Sequence, residues 1–597
     1  MTYRAPVADL LFSMSHELGL AQGLEGGVYA DLADGIAEAT LLEAAKIAEN
    51  VLAPLNRIGD RQGAKLTNEG VVTTPGWPQA YKQWADGGWN AITGPTHYGG
   101  LGLPALLNTA CNEIWNAANM AFSLCPLLTL GAIEALQTHA TAALKDLYLG
   151  RLVSGEWTGT MNLTEPQAGS DLSAIRTRAE PQPDGSFKLF GSKIFITYGD
   201  HDLTGNIIHF VLARLPDAPP GTRGISLFLV PKFLVNADGS LGPRNDVYCV
   251  SLEHKLGIHA SPTCTMAYGE HGGALGWLIG EPNKGLVGMF IMMNNARLNV
   301  GVQGVAIADR AFQQALAYAR ERRQGRAFNA PGEAMSPIVQ HPDVRRMLMT
   351  MKALTAAARA ICLMTAHAID VSRRDEDADR RLRAATRASL LTPIAKAFST
   401  DIGVEAASLG IQIHGGMGFI EETGAAQLLR DSRIAPIYEG TNGIQAIDLV
   451  MRKVAHDKGD AAYREIREMK AVLGAIRETD AGAFGDLAPR LDDAVDSLER
   501  ATAFLLENAK SSPDDVLAGA APYLRLFALA LGGIALARGA LAAHRLIGAG
   551  DNDPALPARI ATARFFAEHI APGSAGLELS VTRGAASVNS ADFALAG

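Results

Sequence analysis

Residues 433–450, RIAPIYEGTNGIQAIDLV, contain a carboxylate of a type that could do chemistry, Glu439. It ends an apolar run through Ile434, Pro436, Ile437 and Tyr438 and precedes the flexible Gly440, Thr441, Asn442 and Gly443. Two readings are open: a solvated loop glutamate, as a lone acid in a turn ordinarily is, or a carboxylate set against an apolar wall as a proton acceptor. Its immediate neighbours do not decide between them.

Three further stretches have the residue types to hold a polar, planar ligand. In residues 161–180, MNLTEPQAGSDLSAIRTRAE, the main chain runs through Leu163 and Thr164 to a turn at Pro166. Ala168, Gly169 and Ser170 follow, small enough for close backbone approach. A phosphate or a heteroaromatic edge fits there, and so does an ordinary hairpin turn. In residues 191–199, GSKIFITYG, side chains two apart share a strand face, which sets Phe195 beside Thr197 as a ring cover and a hydroxyl, or as core packing. In residues 409–419, LGIQIHGGMGF, a helix ends on Gly415, Gly416 and Gly418, a turn able to receive a pyrophosphate. His414 has no Ser or Cys motif beside it, so a structural role is expected. Residues 99–105, GGLGLPA, contain the letters of a dinucleotide fingerprint, but Pro104 interrupts them and no strand leads in; a structural turn is expected.

The elements that must position these groups come from a chain of 597 residues, too long for one hydrophobic core. Helical spacing and Ala- and Leu-rich composition run from about 38 to 155, and short β-prone runs between Gly, Pro and Asp from about 160 to 280. Long helical patterns return from Gly285, and a polar connector, AHDKGDAAY, leads into a last Ala-rich block. The expected fold is α+β, mostly α: an N-terminal extension 1–37, an N-terminal helical domain 38–159, a middle antiparallel β-barrel 160–282, a helical bundle 283–455 and a further C-terminal helical domain 456–597. No alternating βαβ units are present, so a Rossmann sheet is not expected.

A net charge of -9 with 19% charged residues argues against a polyanion-binding surface, and nucleic acid is not expected as a partner. Cys111, Cys125, Cys249, Cys264 and Cys362 lie far apart without a C-x-x-C, which fits reduced thiols in a cytoplasm better than a disulfide frame or a metal site. The N-terminus has neither a basic n-region nor a sustained apolar h-region, so no signal peptide is expected. Residues 524–544 come nearest to a membrane span, but Arg538 and the Ala and Gly content predict a buried helix.

The segments TEPQAGSD, KIFITYG, ARERRQGRAF, IQIHGGMGF and IYEGTNGIQ occur in the order and at the approximate spacing of the acyl-CoA dehydrogenase family, which the chain resembles over roughly residues 40 to 455. The resemblance implies a middle β-barrel between an N-terminal helical domain and a C-terminal four-helix bundle, with FAD bound between barrel and bundles and partly across a subunit interface. It implies that Met161, Leu163, Thr164, Gly169 and Ser170 contact the flavin ring and pyrophosphate, Ser170 lying also near the CoA moiety. Phe195, in place of the usual Trp, and Thr197 flank the isoalloxazine. Arg322, Gln412 and Gly416 match residues that hold the FAD of a neighbouring subunit, and Thr441 matches a flavin contact. Asn294 and Arg297 match polar positions along the CoA channel. Glu439 matches the base that removes the Cα proton while hydride leaves Cβ for flavin N5, and Gly440 follows it against the thioester. A subset of the family places its base just before the arginine matched by Arg297, and here that position is Ala296.

The extensions resemble larger bacterial members that include 3-(methylthio)propanoyl-CoA dehydrogenases, and such forms are often homodimers. The implied reaction turns 3-(methylthio)propanoyl-CoA or a short to medium straight-chain acyl-CoA into a trans-2-enoyl-CoA and passes electrons to an electron-transfer flavoprotein or similar acceptor. A long-chain acyl-CoA dehydrogenase, an acyl-CoA oxidase and a catalytically inactive helical scaffold are the alternatives.

Overall fold

The computed structural model of the protein describes residues 3–20, 23–328, 334–479 and 481–595. Its central helix, α1 (Ala105–His139), is buried along nearly its whole length. The chain reaches α1 through GGLGLPA, which is a structural turn as expected: Gly99 and Gly102 have φ of 86° and 62°, and a Cβ on Gly100 would lie 2.1 Å from the Gly94 carbonyl group. Midway along α1, Asn119 leaves helical geometry (φ -160°, ψ 89°). Its own side chain serves the open backbone there, accepting the Phe122 N–H at 3.1 Å and donating to the Leu52 carbonyl at 3.2 Å.

Eight strands make the main sheet of the middle region, beside a separate short antiparallel pair, Phe233–Val235 with Leu241–Arg244: β1 (Trp157–Asn162), β2 (Arg178–Pro181), β3 (Phe187–Thr197), β4 (Asn206–Arg214), β5 (Ile225–Pro231), β6 (Val247–Leu252), β7 (Thr263–Tyr268) and β8 (Ala274–Ile279). They run in the order β6-β7-β3-β8-β5-β4-β1, and β2 pairs with both β3 and β4, which closes β3, β8, β5, β4 and β2 into a ring. The purely antiparallel barrel expected from the sequence is corrected in one respect. Strand β1 lies parallel to β4, from Trp157 opposite Asn206 to Asn162 opposite Val211, and β2 meets β4 in parallel at Arg178. Parallel neighbours need a long crossover, which residues 163–205 supply. Strand β3, 11 residues long, pairs through its first half with β8 and through its second with β7.

The bundle is built from α2 (Gly285–Glu321), α3 (Pro342–Arg374) and α4 (Ala378–His414), with α1 packed on α2. Helices α2 and α4 touch backbone to backbone: a Cβ on Gly301 would lie 2.8 Å from the Ala395 carbonyl oxygen, and one on Gly304 2.1 Å from that of Ser399. A buried ion cluster ties three helices together, Arg359 of α3 meeting Glu113 of α1 and, at 3.2 Å, Asp309 of α2. After α5 (Asn442–Ile447) the chain continues as helices, of which α6 (Ala520–Gly548) is the longest and packs on α3. Helices α1, α3 and α6 are long and apolar enough to cross a membrane, yet 94%, 78% and 89% of their most apolar windows are buried inside the protein.

The N-terminal residues lie on this last block. Arg559 donates to Asp9 at 2.8 Å, Arg538 donates to the Glu17 carbonyl at 3.1 Å, and Phe12 packs with Ala543 and Leu556. These contacts bring the two ends of the sequence onto one helical layer.

Candidate active site

Glu439 sits in an irregular turn between the helix Ala425–Ser432 and α5. Thr441 caps α5, its hydroxyl accepting the Ile444 N–H at 3.3 Å. Ahead of the cap, Gly440 has φ 87° and Glu439 φ 56°. The left-handed conformation is ordinary for glycine but costs a glutamate about 1–3 kcal/mol, and it persists only where the surroundings over-determine it. Here three side chains do so. The Glu439 carbonyl accepts from Arg297 Nε at 3.4 Å and from Gln445 Nε2 at 3.2 Å. The Gly440 carbonyl accepts from Lys396 Nζ at 2.9 Å and from Gln445 Nε2 at 3.4 Å. A Cβ on residue 440 would come within 2.7 Å of that amide nitrogen, so the glycine lets it in. Tyr438 is tied through its hydroxyl to Gln303 of α2. Among the described residues nothing accepts the Glu439 N–H.

The charges around the turn oppose burial. Burial raises the Glu439 carboxyl, while Arg297 and Lys396 pull it back. Lys396, fully buried on α4, is brought down to about 7 by burial, against the attraction of Glu439 and Asp401 and with the help of Arg297. Burial also lowers Arg297, which faces Asp448 and Glu439. Arg297 reaches Asn294 Oδ1 at 3.3 Å and lines a cavity of about 300 Å³ with Asn108, Asn295 and Lys453. A larger cavity of about 650 Å³, lined by Trp89, Leu101 and Leu103 among others, holds none of the residues expected in the site.

The expected ligand edge on the strands is a second, rigid group. Met161 is buried in β1, whose six residues are all buried, and Leu163 and Thr164 are half-buried. The Thr164 carbonyl accepts the Ile194 N–H at 2.9 Å, and Lys193 donates to the Leu163 carbonyl at 3.0 Å. Glu165 takes Lys193 at 2.8 Å, the Arg176 N–H at 2.7 Å and the Thr177 hydroxyl at 2.6 Å, which bolts the loop to β3. Gly169 and Ser170 are exposed, with open space where a Gly169 Cβ would be. The simple face-sharing of Phe195 and Thr197 is altered. The β3–β7 register shifts between Cys264 and Met266, and opposite that shift Phe195 has φ 60°. Lys193 and Ile196, three apart, are therefore both buried. Thr197 is half-buried, its carbonyl taking the Thr160 hydroxyl at 3.1 Å, while Phe195 is 58% exposed and is not core packing.

A third group stands at the far end of the bundle. Arg322 caps α2, Gln412 lies in the last turn of α4, and Gly416 follows; all three are exposed. Arg322 is 25 residues from Arg297 along one helix, roughly 37 Å at the α-helical rise, so the two cannot serve the same atoms. Next to this end, Phe328 and Phe419 are almost wholly uncovered. His414 is buried, stacked on Tyr318 at 4.4 Å and bonded to the Gly410 carbonyl at 2.7 Å, a structural role as expected.

The structure thus joins Glu439, Gly440 and Thr441 with Arg297 and Asn294, gathers Met161 to Ser170 with Phe195 and Thr197, and leaves Arg322, Gln412 and Gly416 apart. Sequence reasoning missed Lys396, Gln445 and Gln303. Lys396 left a signal: it is the lone charge in LLTPIAKAF, a stretch apolar on all sides where a solvated lysine has no open face.

A helical domain, a strand ring and a helical bundle in this order make the acyl-CoA dehydrogenase fold. The structure of Caenorhabditis elegans ACDH-11 in complex with C11-CoA shares the fold with a TM-score of 0.77 at 20% identity, covering 95% of this chain and 91% of that one. The chain belongs to the acyl-CoA dehydrogenase family: residues 38–156, 160–269 and 283–454 match its N-terminal, middle and C-terminal domains, and residues 464–592 match the acetyl-CoA dehydrogenase C-terminal-like domain. It is 48% identical over 570 residues to 3-methylmercaptopropionyl-CoA dehydrogenase of Ruegeria pomeroyi, covering 96% of each chain. Butyryl-CoA dehydrogenase of Syntrophomonas wolfei is 34% identical, again over 96% of each.

Proposed function

We propose that this chain, with FAD bound, oxidises 3-(methylthio)propanoyl-CoA or a short to medium straight-chain acyl-CoA to the trans-2-enoyl thioester, Glu439 taking the Cα proton. The observation that carries the reading is the strained turn: a glutamate at φ 56° whose carbonyl and whose neighbour's carbonyl are pinned by Arg297, Gln445 and Lys396. A loop acid in solvent needs none of this. Burial raises the carboxyl toward the proton affinity a general base requires, and the two cations keep it ionised. Its free N–H is a donor for a thioester carbonyl, whose developing negative charge it stabilises.

The residues present fit FAD. Phe195 offers an uncovered ring on a rigid strand, Thr197 and the loop 163–170 border it, and at Gly169, Gly415 and Gly416 nothing lies within 4 Å of a would-be Cβ. FAD, when bound, accepts the hydride that leaves Cβ. Met161, Leu163, Thr164, Gly169, Ser170 and Thr441 hold it in this reading, and Asn294, Arg297, Ser170 and Gly440 hold the thioester and CoA. Arg322, Gln412 and Gly416, too distant for the same chain's site, serve the FAD of a second copy. Exposed Phe328, Phe419 and Met417 supply the apolar surface of that homodimer. Electrons leave to an electron-transfer flavoprotein or similar acceptor, and five free cysteines suit a cytoplasmic setting. The substrate choice is supported by the relative named for 3-methylmercaptopropionyl-CoA, with butyryl-CoA next.

The test is anaerobic addition of 3-(methylthio)propanoyl-CoA and graded acyl-CoAs to FAD-loaded protein, following loss of the flavin's visible absorbance. Glu439→Gln is expected to retain flavin and slow the loss roughly 100- to 10,000-fold. Undiminished bleaching by that variant would remove Glu439 from the role, and peroxide release in air without an added acceptor would point to an oxidase.

A further inference from the structure

Lys396 is a buried cation beside Glu439 that touches neither the thioester nor the flavin in the reaction above. It lies on α4 one residue beyond the Ala395 contact with Gly301, so the backbone-to-backbone crossing of α2 and α4 fixes where its side chain starts. Its Nζ donates to the Gly440 carbonyl at 2.9 Å and to Asn442 Oδ1 at 2.9 Å. Asn442 is held in turn: its Nδ2 donates to the Ala397 carbonyl at 3.1 Å, to Thr400 Oγ1 at 3.0 Å and to Asp401 Oδ1 at 2.7 Å. Lys396 therefore grips both sides of the glycine turn, the carbonyl after Glu439 and the first side chain of α5.

Among the described residues no carboxylate lies within ion-pair distance of it. A buried cation without a direct counter-charge is expensive, and a purely structural position would favour an apolar residue of similar volume. What an ammonium does here that a methionine would not is donate to both partners at once and present positive charge to a carboxylate one peptide away.

We propose that Lys396 is a positioning residue for Glu439: it locks the left-handed turn so that the carboxylate stays directed at the substrate's Cα, and its charge keeps that carboxylate ionised. The proposal rests on the reading of Glu439 as the base. The charged and titratable groups facing the pair are Arg297 from α2, the Tyr438 hydroxyl, Asp401 from α4 itself and, beyond Asp401, Glu405 of α4 and Arg525 of α6; Asp448 and Arg452 face Arg297. Arg297 is the second cation on Glu439, so loss of Lys396 weakens the hold on the turn and does not abolish it.

The experiment uses FAD-loaded Lys396→Met and Lys396→Gln, compared with wild type and Glu439→Gln in single-turnover flavin reduction across pH. The methionine variant is expected to bind acyl-CoA nearly as wild type but to reduce flavin about 10- to 100-fold more slowly, as a misdirected base does. The acidic limb of its rate profile should move up by about one pH unit, because a carboxylate that loses a nearby cation protonates more readily. The glutamine variant, which keeps a donor without the charge, should recover part of the rate while keeping the displaced limb. A lysine that only supports the fold would lower melting temperature and flavin content and leave the rate per bound flavin and the limb where they are. That result overturns the proposal, as does failure of both variants to hold flavin, which would assign Lys396 to folding. If Glu439→Gln itself turns over normally, the reading of the base has failed; if Glu439→Gln is inactive and Lys396→Met is normal, only the positioning has failed.

Discussion

Lys193 in the strand ring and Lys396 in the bundle are both fully buried, and each donates to a backbone carbonyl. Lys193 also meets a carboxylate, Glu165, at 2.8 Å. Burial works to raise Glu165, but Lys193, Thr177 and the Arg176 N–H outweigh it and hold the carboxyl down to about 2. Burial draws Lys193 down to about 8, with Glu165 opposing. Every charge in that pair has its partner, and the result is a loop fixed to β3. Lys396 has only oxygen dipoles at hydrogen-bond distance, and its nearest carboxylates act through space. Full burial is thus common to a lysine that bolts a loop to a strand and one that grips the turn of Glu439; the partner separates them.

Lys193→Met is the severest way to break this contrast. It strands Glu165 in the interior and should cost about 3–5 kcal/mol of stability, read as a drop in melting temperature, whereas Lys396→Met leaves no buried carboxylate unpaired and should cost less. Equal losses would erase the distinction. Removing both partners, Lys193→Met with Glu165→Gln, should restore at least ~1 kcal/mol of the single variant's loss in a double-mutant cycle. The pH dependence sharpens the same point. Glu165 is depressed from an ordinary 4.5 to about 2, so its contribution is complete above the first value and disappears as pH falls through the second. Chemical denaturation across that window should show wild type losing stability more steeply than the double variant. The smallest effect on stability belongs to the other side: Thr441→Ala removes the cap of α5 and should cost about 1 kcal/mol, read as a drop in melting temperature, and should loosen the flavin that the same residue contacts.

Much of the scaffold was legible because the period of apolar residues changes from helical to alternating and back, whereas Glu439, Gly440 and Thr441 took their roles from the order of five segments that resemble one family and not from their own neighbours. The parallel placement of β1 beside β4 was not legible, since pairing partners are chosen by a crossover that local patterns do not describe. The exposure of Phe195 escaped for a related reason: one register shift in a neighbouring strand turned it out, and no feature of KIFITYG encodes that shift. Lys396 and Gln445 were overlooked because their role lies in reaching carbonyl oxygens of residues 439 and 440, which carry no side-chain signature. Gln303 likewise became visible only through the hydroxyl of Tyr438.

Residues 4–17 are secured by partners far along the chain: Arg538 and Arg559, which hold Glu17 and Asp9, follow 521 and 550 positions later. Phe12 has no seat until Ala543 and Leu556 have been made. That segment therefore docks only once the helices carrying these partners exist, and until then its apolar face is uncovered. A chain cut before residue 538 would display that face, which makes the accessibility of residues 4–17 a reporter of whether this helical layer is in place.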